Sequence, residues 1–447
     1  MYGGLLKSAS ALAILAAAGL YGISPATAAD LGGDCCADLE ERVAELEATT
    51  ARKGNRRVSL TISGQVTTGV MAWDNGLDSD VYVVDNTVAG GSQFRLTGNA
   101  KVTPNVTAGF QLTVGLSAGA RSHQVSEDDD DGGAAGDSAV AITYANWYLD
   151  HKQLGRIAVG RTNFASAGAT TIDLGGTGVV ANSSIGYWNR GFGATIGGIT
   201  LGTWNNFTGG NAVNASGLAR GNGILYSSPT LGGFTVSAAW GENDMWDVAL
   251  RYAGEHRGFR VAAAVAYADN VAGLGEHCEP VDCNNPQGAE PSQWKGSVSV
   301  LHLGTGLYGN FAYVNQDNDT NDGAIFGGGL GNRDNTELYY GQLGISKNWT
   351  GLGKTAIYGE YAQFVNPLAA VGTGAAFGGF GVPTAIVDSD TEVWGLGVVQ
   401  HIDAAAMELF LSYRNYSAEI TFFPGLGGPT FDYNDMDVVY SGARIRF

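Results

Sequence analysis

The sequence predicts an all-β protein: a transmembrane antiparallel β-barrel of about 16 strands, preceded by a short N-terminal α-helical coiled-coil segment. Three observations lead to this fold class. Apolar and polar residues alternate in many short segments, the connections between these segments are alternately short and long, and no long apolar run follows the first thirty positions. A spanning helix needs about 20 consecutive apolar residues. Membrane insertion of the mature chain therefore requires a closed barrel.

The composition narrows the classes of function. The chain has 69 glycines and 45 aromatic residues (19 Tyr, 17 Phe and 9 Trp) among 447 residues, and its formal net charge is −19. This acidic balance argues against a nucleic-acid partner, which requires a basic surface. The six histidines show no metal-ligand spacing, and no Ser, His and acid grouping stands out. We therefore expect no metal, no cofactor and no enzymatic activity.

The first 28 residues have the pattern of a signal peptide. Lys7 precedes an apolar stretch over 9–22, and the small residues of 25–28 match an A-x-A cleavage site. Residues 29–57 are predicted to form a periplasmic coil and linker, in which Leu39, Val43 and Leu46 follow helical spacing. Because a helix of barely two heptads is marginal alone, we expect self-association, as a trimeric coil if the barrel is trimeric.

The cysteines form two close pairs. Cys35 and Cys36 are adjacent, and in an oxidising periplasm they either cross-link subunits or are buried or paired locally. Cys278 and Cys283 flank a loop that contains proline and are close enough in sequence for a small local disulfide. In another loop, residues 127–131 are acidic, which fits either a divalent cation site or a solvated surface.

From residue 58 to residue 447 the chain is predicted to form the barrel. Each predicted strand has the period of two expected of a two-faced strand; Phe259, Val261 and Ala263, for example, share one face. The predicted strands are 58–73, 92–103, 106–118, 139–150, 155–164, 221–228, 233–241, 245–254, 258–268, 293–304, 307–316, 336–349, 353–364, 391–402, 405–418 and 436–447.

The connections predict how the barrel is oriented. Links such as Pro104-Asn105 and Thr305-Gly306 are very short, whereas most of the alternate links are long and polar. Outer-membrane barrels have short periplasmic turns and long extracellular loops. An even number of strands then places both termini in the periplasm. A soluble sandwich has turns at similar spacing but no reason to alternate loop length.

The final strand gives a more specific signal. Ala443, Ile445 and Phe447 lie on one face, while Arg444 and Arg446 lie on the other. This end resembles the C-terminal signature of outer-membrane porins, with Ile445 where an aromatic residue is more usual. The resemblance implies that Phe447 is a signal recognised by the barrel-assembly machinery.

The connection over 165–220, here called the long connection, exceeds the usual length of a structureless loop and contains many apolar residues. It follows Gly155-Arg156-Ile157-Ala158-Val159-Gly160-Arg161 and precedes a segment that runs from Arg220 to Pro229 and on to Gly232-Gly233-Phe234. These landmarks resemble the general diffusion porins of Gram-negative, alphaproteobacterial-type outer membranes. The resemblance implies that the long connection folds into the lumen and narrows it. Two departures are its length and the added N-terminal coil.

In the resembled family an acidic loop faces basic residues on the wall, which implies four constriction residues here. Asp173 is the only carboxylate in the long connection. Arg95, between outward Phe94 and Leu96, is expected to point inward, as is Arg156 by parity. Arg161 shares parity with lipid-facing residues, so a bulge or inward bend is needed to bring it into the lumen. A structural role for each arginine is an open alternative.

The resemblance implies a water-filled homotrimeric channel in the outer membrane, through which ions and small hydrophilic solutes diffuse passively. Its other expected partners are outer-membrane lipid and lipopolysaccharide. Three alternatives are a substrate-specific porin for sugars or anions, a secreted β-rich binding protein or adhesin, and a barrel enzyme. A sugar or anion porin would show aromatic stacking along the lumen or a basic cluster without opposing acid. A secreted protein would not need detergent.

Overall fold

The computed structural model describes residues 58–116, 120–128, 140–208, 220–242, 245–269, 292–317, 335–368, 386–422 and 430–447. These residues include three single helical turns, Ile185–Trp188, Trp204–Phe207 and Asp403–Ala405. The strands are β1 (Ser59–Asp74), β2 (Ser79–Asp85), β3 (Ser92–Thr103), β4 (Val106–Leu116), β5 (Val140–His151), β6 (Gly155–Asn163), β7 (Gly193–Ile196), β8 (Ile199–Thr203), β9 (Arg220–Ser227), β10 (Phe234–Gly241), β11 (Trp246–His256), β12 (Phe259–Asp269), β13 (Ser292–His302), β14 (Leu307–Asp317), β15 (Thr336–Lys347), β16 (Thr355–Val365), β17 (Ile386–Ile402), β18 (Met407–Phe422), β19 (Thr430–Asp432) and β20 (Met436–Arg446).

A closed antiparallel barrel of 16 strands confirms the predicted fold class. Its strands are β1, β3 to β6, β9 to β18 and β20, and it closes where β20 pairs with β1, with Arg446 opposite Gln65. The segments predicted from alternation correspond one to one with these strands. Closure leaves no sheet edge with unpaired backbone groups inside a bilayer. None of the helices in the described residues is long and apolar enough to cross a membrane, a result that says nothing about a β-barrel.

The sequence did not reveal four short strands. β7 and β8 form a hairpin within the long connection, and β19 extends the sheet beside β18. β2 pairs with β1 over Thr68–Asp74, whereas β3 pairs with the earlier part of β1, Ser59–Gln65. The barrel wall therefore continues from β3 into β2, with residues 86–91 inserted between them.

The short connections described here are tight turns that lie together at one end of the barrel. The turn between β11 and β12 consists of Arg257 and Gly258, whose φ angles are 49° and 83°. Two consecutive positive φ angles match the type I′ turn, which suits the right-handed twist of a two-residue hairpin. The start of β1 and the end of β20 lie at this same end.

Side chains alternate between the outside and the inside of the barrel. Along β13, Trp294 and Val298 point outward and are 56% and 37% exposed, whereas Lys295, Ser297 and Ser299 on the opposite face are buried. An outward apolar face and an inward polar face are the pattern of a strand that spans a membrane. The final strand follows its predicted parity, because inward Arg444 is ion-paired with Glu408 while Ile445 is 44% exposed.

Candidate constriction site

The long connection bends into the barrel immediately after β6. Phe164, which is 4% exposed, lies against Gly221, Gly223 and Gly241. A Cβ atom at these glycines would come within 2.8, 2.8 and 2.6 Å of the Phe164 ring. Side chains at these three positions would therefore displace the aromatic ring. The glycines of β9 and β10 provide the space in which the connection turns inward.

Two charged side chains on β11 hold the next residues. The Asp247 carboxylate accepts hydrogen bonds from the backbone N–H groups of Ala165 and Ser166, at 2.9 and 2.6 Å. Arg251 Nη2 donates to the carbonyl oxygens of Ala165 and Ala167, at 2.7 and 2.6 Å. Because both backbone donors and acceptors are bound, the wall fixes the direction in which the long connection enters the lumen.

Asp173 lies in a tight turn of the long connection against β14. Its carboxylate accepts hydrogen bonds from the N–H groups of Gly175, Thr177 and Gly178, at 2.6, 2.6 and 2.9 Å. It also accepts one from the Thr177 hydroxyl at 3.2 Å and one from Asn310 Nδ2 at 3.1 Å. The negative charge is therefore neutralised in part by five donor groups, and the residue attaches the turn to the wall.

A buried ion pair anchors the middle of the long connection. Arg414 on β18 and Glu360 on β16 form a bidentate pair, with nitrogen to oxygen distances of 2.7 and 3.2 Å. Arg414 also donates to the carbonyl oxygen of Ile185 at 3.2 Å, and its Cζ atom lies 4.1 Å from the centre of the Trp188 ring. Arg414 and Trp188 are both 0% exposed. Packing and charge together fix this segment on the wall.

Two further segments enter the lumen. Residues 86–91, here called the wall excursion, contact the long connection through Asn86, whose Nδ2 donates to the carbonyl oxygen of Val179 at 2.7 Å. Residues 120–128, here called the inner segment, contact it through Ser122, whose hydroxyl donates to the carbonyl oxygen of Tyr187 at 2.9 Å. The long connection, the wall excursion and the inner segment form one packed body, here called the luminal insert.

The inner segment and the long connection meet at a basic and aromatic cluster. The His123 and Tyr187 rings are 5.6 Å apart in an edge-to-face arrangement, and His123 Nδ1 is 3.0 Å from Thr87 Oγ1. Burial, with smaller contributions from Arg190 and Arg121, lowers the pKa of His123 to about 3. Burial also lowers the pKa of Arg190 from its usual value. His123 is therefore neutral at pH 7.

On the wall of the lumen over β3 to β5, inward side chains such as Arg95, Tyr144 and Asn146 are partly exposed. Arg95 points inward and donates from Nε to Thr113 Oγ1 at 3.2 Å. Its Cζ atom is 5.9 Å from the centre of the Tyr144 ring, and the Cζ atom of Arg220 is 5.3 Å from the same ring. Tyr144 therefore brings a guanidinium of β3 and a guanidinium of β9 to one site.

The two remaining arginines of the predicted site lie on β6. Arg156 stands beside a short turn, with its Cζ atom 3.7 Å from the Tyr148 ring centre and its Nε 3.7 Å from Asp150. Gly160 has a φ angle of 120°, which favours glycine, and the Nε atom of Arg161 next to it is buried. The structure thus places Arg95 beside Tyr144, Arg156 near the turn end of the barrel and Asp173 on the opposite wall.

Several predicted features lie outside the described residues. They are the signal peptide, the N-terminal coil, Cys35, Cys36, Cys278, Cys283 and most of the acidic run over 127–131. No group of metal-ligating residues occurs in the part of the chain that the structure describes. Phe447 is described; it exchanges two backbone hydrogen bonds with Gly64, of 2.9 and 3.1 Å, and its ring is 64% exposed.

Sequence comparison identifies the class of protein. The profile of the Gram-negative porin family matches residues 10–441, so the chain belongs to that family of outer-membrane channel proteins. No curated protein sequence matches the chain.

Solved structures show the same fold. An anion-selective porin from Comamonas acidovorans has 15% identity and a TM-score of 0.50, with 87% of this chain and 100% of that chain covered. Salmonella typhi OmpF in complex with daunomycin has 14% identity and a TM-score of 0.50, with 88% and 99% covered. At these identities the likeness concerns the fold alone.

Proposed function

We propose that the protein is a water-filled channel for passive diffusion of ions and small hydrophilic solutes, and that it has no catalytic role. The observation that supports this most directly is the contrast between the two sides of the lumen. The luminal insert covers one side, whereas the inward side chains Arg95, Gln111, Tyr144 and Asn146 on β3 to β5 remain partly exposed. A lumen that is narrowed but lined by accessible polar groups is suited to hydrated solutes.

We further propose that the constriction is formed by the luminal insert on one side and by the wall around Arg95 and Arg161 on the other. In this arrangement Asp173 shapes the constriction by folding the long connection, and Arg156 acts nearer the turn end. For Asp173 and Arg95, these roles rest on the hydrogen bonds and stacking distances given above. Arg161 is included because Gly160 gives the end of β6 an irregular backbone.

The outer surface favours a homotrimer. On the strands from β10 to β18, an outward tryptophan or tyrosine lies near the end that leads into the long connections. They are Trp240, Trp246, Tyr267, Trp294, Tyr313, Tyr339, Tyr361, Trp394 and Tyr413. Aromatic girdles of this kind mark the membrane interface. At the same end of β20, β1 and β3 to β6, the described outward positions have no tryptophan or tyrosine. We propose that subunits meet over this sector.

By the same proposal, the short turns and both termini face the periplasm, the longer connections meet lipopolysaccharide at the cell surface, and Phe447 is recognised by the barrel-assembly machinery. Phe447 lies at the seam where β20 meets β1, the last contact needed to close the barrel. A residue at the closing seam is well placed to be recognised by the assembly machinery.

Planar-bilayer recording of detergent-purified protein tests the function. We expect stable conductance that appears in groups of three equal steps, with circular dichroism dominated by β-sheet. In a background whose four native cysteines are replaced by serine, a trifunctional maleimide should cross-link three subunits when one cysteine replaces Thr68, which faces outward on the sector that lacks the aromatic girdle. The matched control has one cysteine at Phe311, within the girdle sector. Absence of conductance, or equal trimer cross-linking through both positions, would contradict the proposal.

A further inference from the structure

We propose that the turn end of the barrel binds anionic phospholipid headgroups, through three neighbouring short turns that each present a basic side chain beside an exposed apolar one. These turns, here called the turn ledge, are 256–259, 302–307 and 347–352. The partner is the leaflet that meets this end, which is the inner leaflet of the outer membrane in the orientation proposed above. Lipid binding at this surface does not depend on whether the barrel conducts.

Backbone hydrogen bonds join the three turns into one surface. The N–H group of Leu303 donates to the carbonyl oxygen of Gly258 at 2.8 Å, which links the first turn to the second. The N–H group of Ser346 donates to the carbonyl oxygen of Gly306 at 2.8 Å, which links the second turn to the third. Because the turns are tied to one another, side chains from all three meet the same layer of headgroups together.

Each turn of the ledge contributes one basic residue and at least one exposed apolar residue. The basic residues are Arg257, His302 and Lys347, and the apolar residues are Phe259, Leu303, Leu307, Trp349 and Leu352. Trp349 is 50% exposed, and the rings of Phe259 and His302 are 4.7 Å apart. Cations attract anionic headgroups, and aromatic rings prefer the headgroup level of a bilayer. A soluble polyanion would engage only the cations, so the pairing of the two favours a lipid.

The ledge lies at the depth of a membrane interface. Tyr339 belongs to the aromatic girdle at the other end of β15, and Lys347 follows it eight residues later. Eight residues extend about 26 Å along a strand, which becomes about 20 Å across the membrane at a tilt of roughly 40°. The apolar band of an outer-membrane barrel is about 25 Å tall. Lys347 and Trp349 therefore reach the interface opposite the girdle.

Charge distinguishes this interface from the girdle end of the same strands. At the girdle end Glu337 accepts hydrogen bonds from the hydroxyl groups of Tyr313 and Tyr339, and Glu392 accepts one from Tyr361. No lysine or arginine faces outward there in the described residues of β10 to β18. Anionic headgroups are therefore attracted to the ledge and repelled from the girdle end.

The carboxylates near the ledge do not cancel its charge. Glu255 on β11 is 3.2 Å from Arg260, which supplies its own counter-charge. Asp403 follows β17 and lies outside the three turns. The fixed charges of Arg257 and Lys347 therefore remain available to headgroup phosphates.

Quenching of Trp349 by brominated phospholipids tests the proposal. The protein is reconstituted in phosphatidylcholine vesicles that contain an increasing fraction of phosphatidylglycerol or phosphatidylcholine brominated near the top of its acyl chains. The fluorescence that is lost in the wild type but absent from Trp349→Phe is the signal of this residue. We expect brominated phosphatidylglycerol to quench half of it at a several-fold lower fraction than brominated phosphatidylcholine, because the ledge concentrates anionic lipid.

Double variants test the basic residues. Arg257→Gln, Lys347→Gln should lose the several-fold preference, whereas Arg257→Lys, Lys347→Arg should keep it because both charges remain. The matched control is Lys101→Gln, Lys152→Gln, which removes the same charge beside short turns in the sector from β3 to β6. This control should keep the wild-type preference, because the charges that it removes lie away from Trp349.

Each outcome bears on a different part of the proposal. Equal quenching by the two brominated lipids in the wild type, or no quenching of Trp349 by either, overturns the lipid surface. Equal loss of preference in the glutamine variant and in the control shows a general positive charge and overturns the ledge as its location. Planar-bilayer recording of the same protein separates the two functions: a wild type that prefers phosphatidylglycerol but does not conduct overturns the proposed channel and leaves the ledge intact.

Discussion

The two sides of the lumen differ in what covers them. Tyr358, Glu360 and Arg414 on β16 and β18 point inward and are 3%, 5% and 0% exposed, because the long connection packs over them. On β3 to β5, inward residues such as Arg95 and Asn146 are only partly buried. The interior of the barrel is therefore packed with protein side chains on one side and faces water on the other. The position of the luminal insert, more than the strands themselves, decides which side conducts.

The largest expected effect is on the covered side, at the buried ion pair. Replacing Glu360 by Gln leaves the Arg414 guanidinium buried without its charge partner, and we expect the free energy of unfolding to fall by roughly 3–5 kcal/mol. Denaturant unfolding in detergent, followed by tryptophan fluorescence, measures this change.

The matched control for the ion pair is Glu255→Gln. Its partner Arg260 is about half exposed, and loss of a surface pair costs about 1 kcal/mol or less. The double variant Glu360→Leu, Arg414→Met should regain much of the stability because no charge is left unpaired. Equal losses in Glu360→Gln and Glu255→Gln would show that the covered side is not held by this pair.

The turn at Asp173 should give the next largest effect. Asp173→Asn replaces one carboxylate oxygen by an amide that cannot accept the turn's N–H bonds, so we expect a loss of about 1–3 kcal/mol in the free energy of unfolding. The loosened long connection should also make single-channel currents noisier. Removing the charge should shift the reversal potential toward anions, by less than the opposite shift from Arg95→Gln.

Asp150→Asn is the control for this turn. Asp150 is about half exposed and lies 3.7 Å from Arg156, so its loss should change stability little. A shift of the reversal potential in Asp173→Asn larger than that of Arg95→Gln would mean that the Asp173 charge acts on permeating ions more strongly than the Arg95 charge, despite its hydrogen bonds.

A smaller, pH-dependent effect is expected where the inner segment meets the long connection. The pKa of His123 is about 3 in the folded protein, compared with about 6.5 in an unfolded chain. Between these values the unfolded chain binds a proton that the folded chain does not, so the free energy of unfolding falls as pH decreases from 6.5 toward 3. Unfolding curves measured across this range should show the slope, and His123→Gln should reduce it.

For the pH series, His151→Gln provides the comparison, because His151 ends β5 beside a short turn at the other end of the barrel, away from the luminal insert. We expect it to keep the wild-type slope. The same slope in His123→Gln and in the wild type would show that the acid sensitivity arises elsewhere.

The smallest effect on stability is expected at the seam between β20 and β1, where the covered and open sides join. Phe447→Ala keeps the backbone bonds to Gly64, and the ring is largely exposed, so we expect a loss below about 1 kcal/mol in the assembled protein. If the ring is an assembly signal, outer-membrane yield should nevertheless fall. Phe311→Ala, an outward aromatic on β14 that is 49% exposed, should leave the yield unchanged.

The sequence by itself determined the barrel. Alternation places each side chain inside or outside because the strand period is two, and this local rule located the barrel strands and the inward direction of Arg95. The alternation of short and long connections then predicted the end of the barrel at which the short turns and both termini lie. The long connection was identified because a loop of its length and apolar content requires a packing partner.

Only the tertiary structure decided what fills the lumen. Arg414 contacts Ile185 across 229 positions of sequence, and Tyr144 brings Arg95 and Arg220 together from different strands. Neither contact can be predicted from the spacing of residues along the sequence. For the inner segment and the wall excursion the sequence predicts only long polar connections, because their inward contacts depend on the position of the long connection. The charge of Asp173 was evident from sequence, but its five hydrogen-bond donor groups come from a turn and a neighbouring strand that only the folded chain places around it.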